Sequence, residues 1–101
     1  MKPKAYKLRV PEEVVELIRG MHPELKKKMR TALASMLDNP YEGKVLKDEL
    51  EGLRSFRIRR IRIIYRIAKK NQIEILAIGP RKSIYEETYR IISREERTLG
   101  R

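Results

Sequence analysis

The chain has 101 residues, with 25 lysines and arginines against 14 acidic side chains, a net charge of +11 and a pI near 10.2. That length suits one domain with a thin two-layer core, and 41% hydrophobic residues argue against wholesale disorder. The lack of cysteine excludes disulfides, thiolate metal sites and cysteine nucleophiles, the single histidine excludes a multi-histidine metal site, and no apolar run reaches the roughly 18 residues of a membrane span.

Met1-Lys2-Pro3-Lys4 leads into charge rather than into a signal peptide, so the expectation is a cytoplasmic domain. Tyr6–Val10 alternates and predicts a first strand ended by Pro11. Pro11 suits the first turn of a helix, with Glu12 and Glu13 favoured by its dipole and Val14, Val15, Ile18 and Met21 at helical spacing. Gly20 and Pro23 break this helix from a second, whose stripe runs Leu25, Met29, Ala32, Leu33, Met36, Leu37 and ends at Asp38-Asn39-Pro40. Residues 41–52 read as loop with a short helical turn. From Arg54 the period becomes two: Phe56 and Ile58 alternate with arginines, then Ile61, Ile63, Tyr65 and Ile67 alternate with Arg62, Ile64 and Arg66. A third run, Gln72–Gly79, sets Ile73, Ile75 and Ala77 on one face and Glu74, Leu76 and Ile78 on the other. Ser83 and Glu86 have the spacing of a capping box, followed by Tyr85, Tyr89 and Ile92 at helical intervals. The predicted fold is α+β in the order β-α-α-β-β-β-α: an N-terminal strand, a helical hairpin, a three-stranded antiparallel meander and a C-terminal helix, all in a single domain over residues 1–101.

The charge is uneven, +3 over residues 1–50 and +8 over residues 51–101. Arg54–Lys70 holds eight basic residues and no acid, and six of the eight are arginine, the side chain suited to bidentate phosphate or carboxylate contacts. A solvated face, an RNA or DNA partner and an acidic protein partner are all compatible with this; a membrane surface fits less well, since the run lacks an interfacial helix's apolar face.

The apolar face switches parity between Ile58 and Ile61, as a two-residue turn at Arg59-Arg60 requires. That register opposes Arg57 to Arg62 and Phe56 to Ile63, and opposed residues share a face. An antiparallel third strand brings Arg81 near both arginines, and Tyr85 follows one turn later. Three arginines and a phenol thus converge at one end of the sheet. The bland reading is that Arg81 closes a loop and Tyr85 is core.

No carboxylate pair, glycine-rich phosphate loop, nucleophile elbow or metal-ligand spacing is present, and His22 beside Pro23 reads as a turn residue. What the cluster can do is act on a phosphate without metal or cofactor. RNA cleaves itself when its 2′-hydroxyl attacks the adjacent phosphorus, and arginines can stabilise the phosphorane. Proton transfer is the weak step, since arginine and an ordinary tyrosine are poorly matched to neutral pH.

The element order, the linker Val45–Leu53, the hairpin Phe56–Tyr65 with its Arg62-Ile63-Ile64-Tyr65 ending, and the closing Ile78-Gly79-Pro80-Arg81-Lys82-Ser83-Ile84-Tyr85 resemble the RelE/ParE toxin superfamily over nearly the whole chain. The resemblance implies a toxin of a type II toxin–antitoxin system that cuts mRNA in the ribosomal A site, with an acidic cognate antitoxin, the ribosome and mRNA as partners. It implies that Arg57 contacts phosphate and handles protons, that Arg62 and Arg81 stabilise the transition state, and that Tyr85 orients or deprotonates the 2′-hydroxyl. Arg54, Arg59, Arg60, Arg66 and Lys82 are the further residues expected to bind RNA. Two positions depart from the family pattern: Pro80 stands where many relatives have His or Lys, and Arg59-Arg60 where many have a glycine turn. The alternatives are a ParE-like inhibitor of DNA gyrase and a catalytically silent module that binds RNA or antitoxin.

Overall fold

A computed structural model describes residues 5–99. Strand β1 (Lys7–Arg9) is followed by α1 (Glu12–Arg19) and α2 (Pro23–Asp38), a two-residue strand β2 (Lys44–Val45) and a 3-10 turn (Asp48–Leu50). Then come β3 (Arg54–Ile58), β4 (Ile61–Ala68), a second 3-10 turn (Lys69–Asn71), β5 (Gln72–Pro80) and α3 (Arg81–Leu99). The expected α+β order holds, with one strand more than predicted. Five strands line up as β1-β5-β4-β3-β2, with β1 parallel to β5 and the other neighbours antiparallel. The extra strand is β2, inside the stretch 41–52 whose sequence predicts loop. It pairs only as Lys44 with Ser55 and Val45 with Arg54, too short a span to show a periodicity.

The sheet is buried on both faces. One face carries Ile58, Ile63, Tyr65, Ile73, Ile75 and Ile78 against Val14 of α1 and Met29, Ala32 and Met36 of α2. The helical stripes read from the sequence are therefore the ones that cover it. The His22 imidazole caps α2, its Nδ1 accepting from the Glu24 N–H at 3.2 Å. The opposite face carries Leu53, Ile64, Leu76 and Ala77 against Ile84 of α3.

The strict alternation expected of β5 is broken once. Ile64 pairs with Ala77 but Tyr65 pairs with Ile75, so Leu76 is an extra residue, a β-bulge. Beyond it parity flips: Ala77 joins Leu76 under α3, while Ile78 joins Ile73 and Ile75 on the other face. α3 begins at Arg81, two residues before the expected cap at Ser83. Its buried stripe is Ile84 and Thr88, with Ile91 and Ile92 half-buried, and Tyr89 is 49% exposed rather than part of the core.

Candidate active site

The hairpin register comes first, because it decides which side chains share a face. Ile58 pairs with Ile61, Phe56 with Ile63 and Arg57 with Arg62, as the parity switch predicts. Arg62 in turn pairs with Gly79. One residue row across the sheet thus reads Arg57, Arg62, Gly79, and the neighbouring row on the same face reads Lys44, Ser55, Ile64, Ala77. Ile64 and Ala77 pack against Ile84, which identifies this as the α3 face. Gly79 has a packing reason: a Cβ there would lie 3.2 Å from Ile84 Cδ1.

The turn that makes the register is built without glycine. Arg59 sits in the left-handed region at φ 54°, where a side chain is disfavoured. Two bonds brace it: Arg57 Nε donates to the Arg59 carbonyl at 3.1 Å, and the Arg81 N–H donates to the Arg60 carbonyl at 3.4 Å. The second ties the hairpin tip to the first residue of α3.

Tyr85 completes the constellation. Its side chain is half-buried, next to the Ser55 hydroxyl and the Arg62 guanidinium, with the Arg81 charge nearby. Burial pushes the phenol up, but the hydrogen bonds with Ser55 and Arg62 and the positive charges of Arg62 and Arg81 outweigh it. The net result is a Tyr85 pKa below the ordinary phenol value. Arg57 and Arg81 are exposed and Arg62 is half-buried, so the cluster is open to a ligand from the hairpin end.

The structure therefore brings Arg62, Arg81 and Tyr85 together, with Arg57 beside Arg62. Arg59 and Arg60 at the turn and Lys82 in the first turn of α3 are exposed next to them. Two of the expected RNA-binding residues are elsewhere. Arg54 lies on the α1/α2 face, donating from Nη1 to the carbonyls of Tyr41 (3.0 Å) and Gly43 (2.9 Å), with its guanidinium 5.1 Å from the centre of the Tyr41 ring. Arg66 lies four residues along β4 from Arg62, bonded to Glu74 at 2.6 Å and to both oxygens of Glu95 at 3.1 and 3.2 Å. Both are struts of the fold. Ser55 is the residue that the sequence reading missed. It is 6% exposed and lies under Tyr85; its only sequence signal is its odd parity with Arg57 on β3.

A groove of about 530 Å³ runs between α1 and α3 along β5, lined in part by Leu17, Glu74, Leu76, Ile91 and Glu95. It includes none of the four cluster residues.

The family model described as the ParE toxin of type II toxin–antitoxin system, parDE, matches residues 8–85. The chain belongs to this family. Those 78 matched positions of the ParE-family chain include the hairpin and end at Tyr85. No curated protein matches it. Among solved structures, the free E. coli toxin RelE carrying a double arginine mutation superposes at a TM-score of 0.70 with 19% identity, over 90% of this chain and 98% of that one. The toxin of the Mycobacterium tuberculosis RelBE2 toxin–antitoxin complex superposes at 0.66 with 25% identity, over 77% and 100%. An archaeal RelE–RelB complex from Pyrococcus horikoshii gives 0.64 and 22%, over 77% and 97%. The fold is thus shared along the full length of the RelE chains, and the protein is a type II toxin of the RelE/ParE superfamily. No described helix is long and apolar enough to cross a membrane.

Proposed function

We propose that this ParE-family toxin is a ribosome-dependent mRNA endonuclease, held inactive in the cytoplasm by an acidic cognate antitoxin. The observation that carries this reading is the meeting of Arg62, Arg81 and Tyr85 beside Arg57 on the exposed end of the sheet. In the proposed reaction the Tyr85 oxygen takes the proton of the substrate's 2′-hydroxyl. The 2′-oxygen–phosphorus bond forms as the bond from phosphorus to the 5′-oxygen breaks, and water supplies the proton to the leaving 5′-oxygen. Arg62 and Arg81 stabilise the charge on the phosphorane, and Arg57 holds the backbone. The lowered Tyr85 pKa supports Tyr85 as the proton acceptor, because it raises the fraction of phenolate near neutral pH. Pro80 has no N–H and arginine does not give up its proton near neutrality, so the leaving group depends on solvent. That predicts slow chemistry without the alignment that a ribosome imposes on mRNA. An acidic partner is favoured by the concentration of charge in the second half of the chain, and the structural neighbours solved as RelE–RelB complexes support an antitoxin.

The test is expression from a tightly repressed promoter with mRNA 5′ ends mapped by primer extension. Cuts confined to translated mRNA, and absent from an Arg62→Ala/Arg81→Ala double mutant, are the expected result. The ParE family match favours a second reading, inhibition of DNA gyrase. Growth arrest with intact mRNA and stabilised DNA breaks would establish that one instead, and no arrest would leave a binding module.

A further inference from the structure

Ser55 has the geometry to do more than fill space. It sits on β3 between Lys44 and Ile64, in the row next to Arg57 and Arg62, and it is 6% exposed and hydrogen-bonded to the Tyr85 phenol. No described buried side-chain nitrogen or oxygen lacks a hydrogen-bond partner. The direction of the bonds around the Tyr85 oxygen follows from what each neighbour can offer. A guanidinium only donates, so Arg62 must donate a hydrogen bond to the phenol oxygen. A neutral phenol then needs an acceptor for its own proton, and among these neighbours the Ser55 hydroxyl is the group that can accept. A hydroxyl can also donate, so when Tyr85 is a phenolate the same group rotates and donates a hydrogen bond instead.

We infer that Ser55 is a positioning residue for Tyr85: its hydroxyl anchors the phenol oxygen at the Arg62 end of the cluster and reverses its hydrogen bond as Tyr85 loses or gains a proton. This role rests on the endonuclease reading. Anchored from inside the sheet, the phenol oxygen keeps a lone pair facing outward, where the 2′-hydroxyl of the substrate has to lie between Arg57, Arg62 and Arg81. As Tyr85 takes the 2′ proton, that proton turns inward to Ser55, and the Ser55 hydrogen swings off the phenol oxygen. No net proton leaves the pair in this exchange; the reset is loss of the Tyr85 proton to water. The charged groups facing the phenol are Arg62 from β4 and Arg81 from α3, with Lys44 placed by register on the same face of β2. Ser55 is the uncharged partner among them.

The experiment uses the full chain with tyrosine ring carbons labelled for NMR, the Tyr85 signal being the one lost in Tyr85→Phe. Ser55→Ala and the near-isosteric Ser55→Cys are expected to move the Tyr85 titration upward, while Ser55→Thr, which keeps a hydroxyl, stays near wild type. In ribosome-dependent cleavage at saturating substrate, Ser55→Ala and Ser55→Cys are expected to lose about tenfold to hundredfold in kcat with little change in KM. The inference is overturned if the Tyr85 midpoint stays put in Ser55→Ala. It is also overturned if Ala, Cys and Thr shift it alike, which would mark a packing effect, or if Ser55→Ala cleaves at the wild-type rate. A wild-type chain that leaves translated mRNA intact would instead remove the endonuclease reading, and the role of Ser55 with it, whatever the titration shows.

Discussion

Arg62 holds the most demanding position among the single residues, since it opposes Arg57 across the hairpin, bonds the Tyr85 phenol and, in the proposed reaction, stabilises the phosphorane. Its replacement by alanine removes both a hydrogen bond and a charge that favour the phenolate, while the burial that opposes it remains. Tyr85 in Arg62→Ala should therefore titrate at higher pH, and the rising limb of the cleavage–pH profile should move up with it. Loss of the donor should lower cleavage by about 10²–10³-fold. Tyr65 gives a structural prediction. Its hydroxyl donates to the Pro40 carbonyl at 2.8 Å and accepts from the Gly43 N–H at 3.0 Å in a fully buried position. Tyr65→Phe leaves both backbone groups unpaired, an expected loss of about 1–3 kcal/mol in denaturant unfolding. Burial also raises the Tyr65 pKa above the ordinary phenol value, which the Gly43 hydrogen bond and the Arg54 charge only partly offset. The folded state therefore prefers the neutral phenol. Stability from this group is full below about pH 10 and declines as pH rises through the higher folded value, a loss that Tyr65→Phe should not show. Gly43→Ala should destabilise for a related reason, because a Cβ there would overlap the Tyr65 hydroxyl.

Among the elements, β4 shows what a sequence can and cannot reveal. Its register against β3 was legible because the switch of apolar parity across Arg59-Arg60 admits one tight pairing, and with it the meeting of Arg57, Arg62, Arg81 and Tyr85. The same parity puts Arg66 on the face of Arg62, and from the sequence it looks like part of one basic stripe. Its partners Glu74 and Glu95 lie 8 and 29 residues away, so the pairing is a tertiary fact with no local sign. Arg66→Leu should lower stability by about 1–2 kcal/mol, reduced from a buried pair because these side chains are partly exposed. Cleavage by the folded variant should be unchanged. The bulge at Leu76 was hidden for a different reason: β5 is apolar on both faces, so one inserted residue leaves no break in its pattern. In α3 the Ser83/Glu86 spacing pointed to a cap, but the helix is carried back to Arg81 by the bond from its N–H to the hairpin tip. That start also sets Ile84, not Tyr85, under the helix. Ser55 escaped notice because a lone hydroxyl in a strand signals nothing until Tyr85 is folded over it.

For the whole molecule, charge dominates. The excess of the second half collects at the hairpin tip and the first turn of α3, where Arg57, Arg59, Arg60, Arg81 and Lys82 are all exposed. Binding to a single-stranded RNA bearing a 2′-deoxy sugar at the cut position should weaken with salt, by about 0.7 in the log–log slope for each phosphate contacted. Converting Arg59, Arg60 and Lys82 to glutamine should flatten that slope stepwise, and Arg66→Leu should leave it alone.

The pairing of β1 with β5 has a bearing on timing. Lys7 meets Gln72, sixty-five positions later, whereas the whole cluster from Ser55 to Tyr85 is assembled by adjacent hairpins and the first turn of one helix. Loop closure makes such a distant contact slow and a hairpin fast. On a ribosome, the first strand must therefore wait until most of the chain has emerged before it can join the sheet. The helical hairpin behind it has no sheet to cover until then. Completion of the core is deferred until β5 has been made, and a nascent chain stalled before β5 should be sensitive to protease along its entire length.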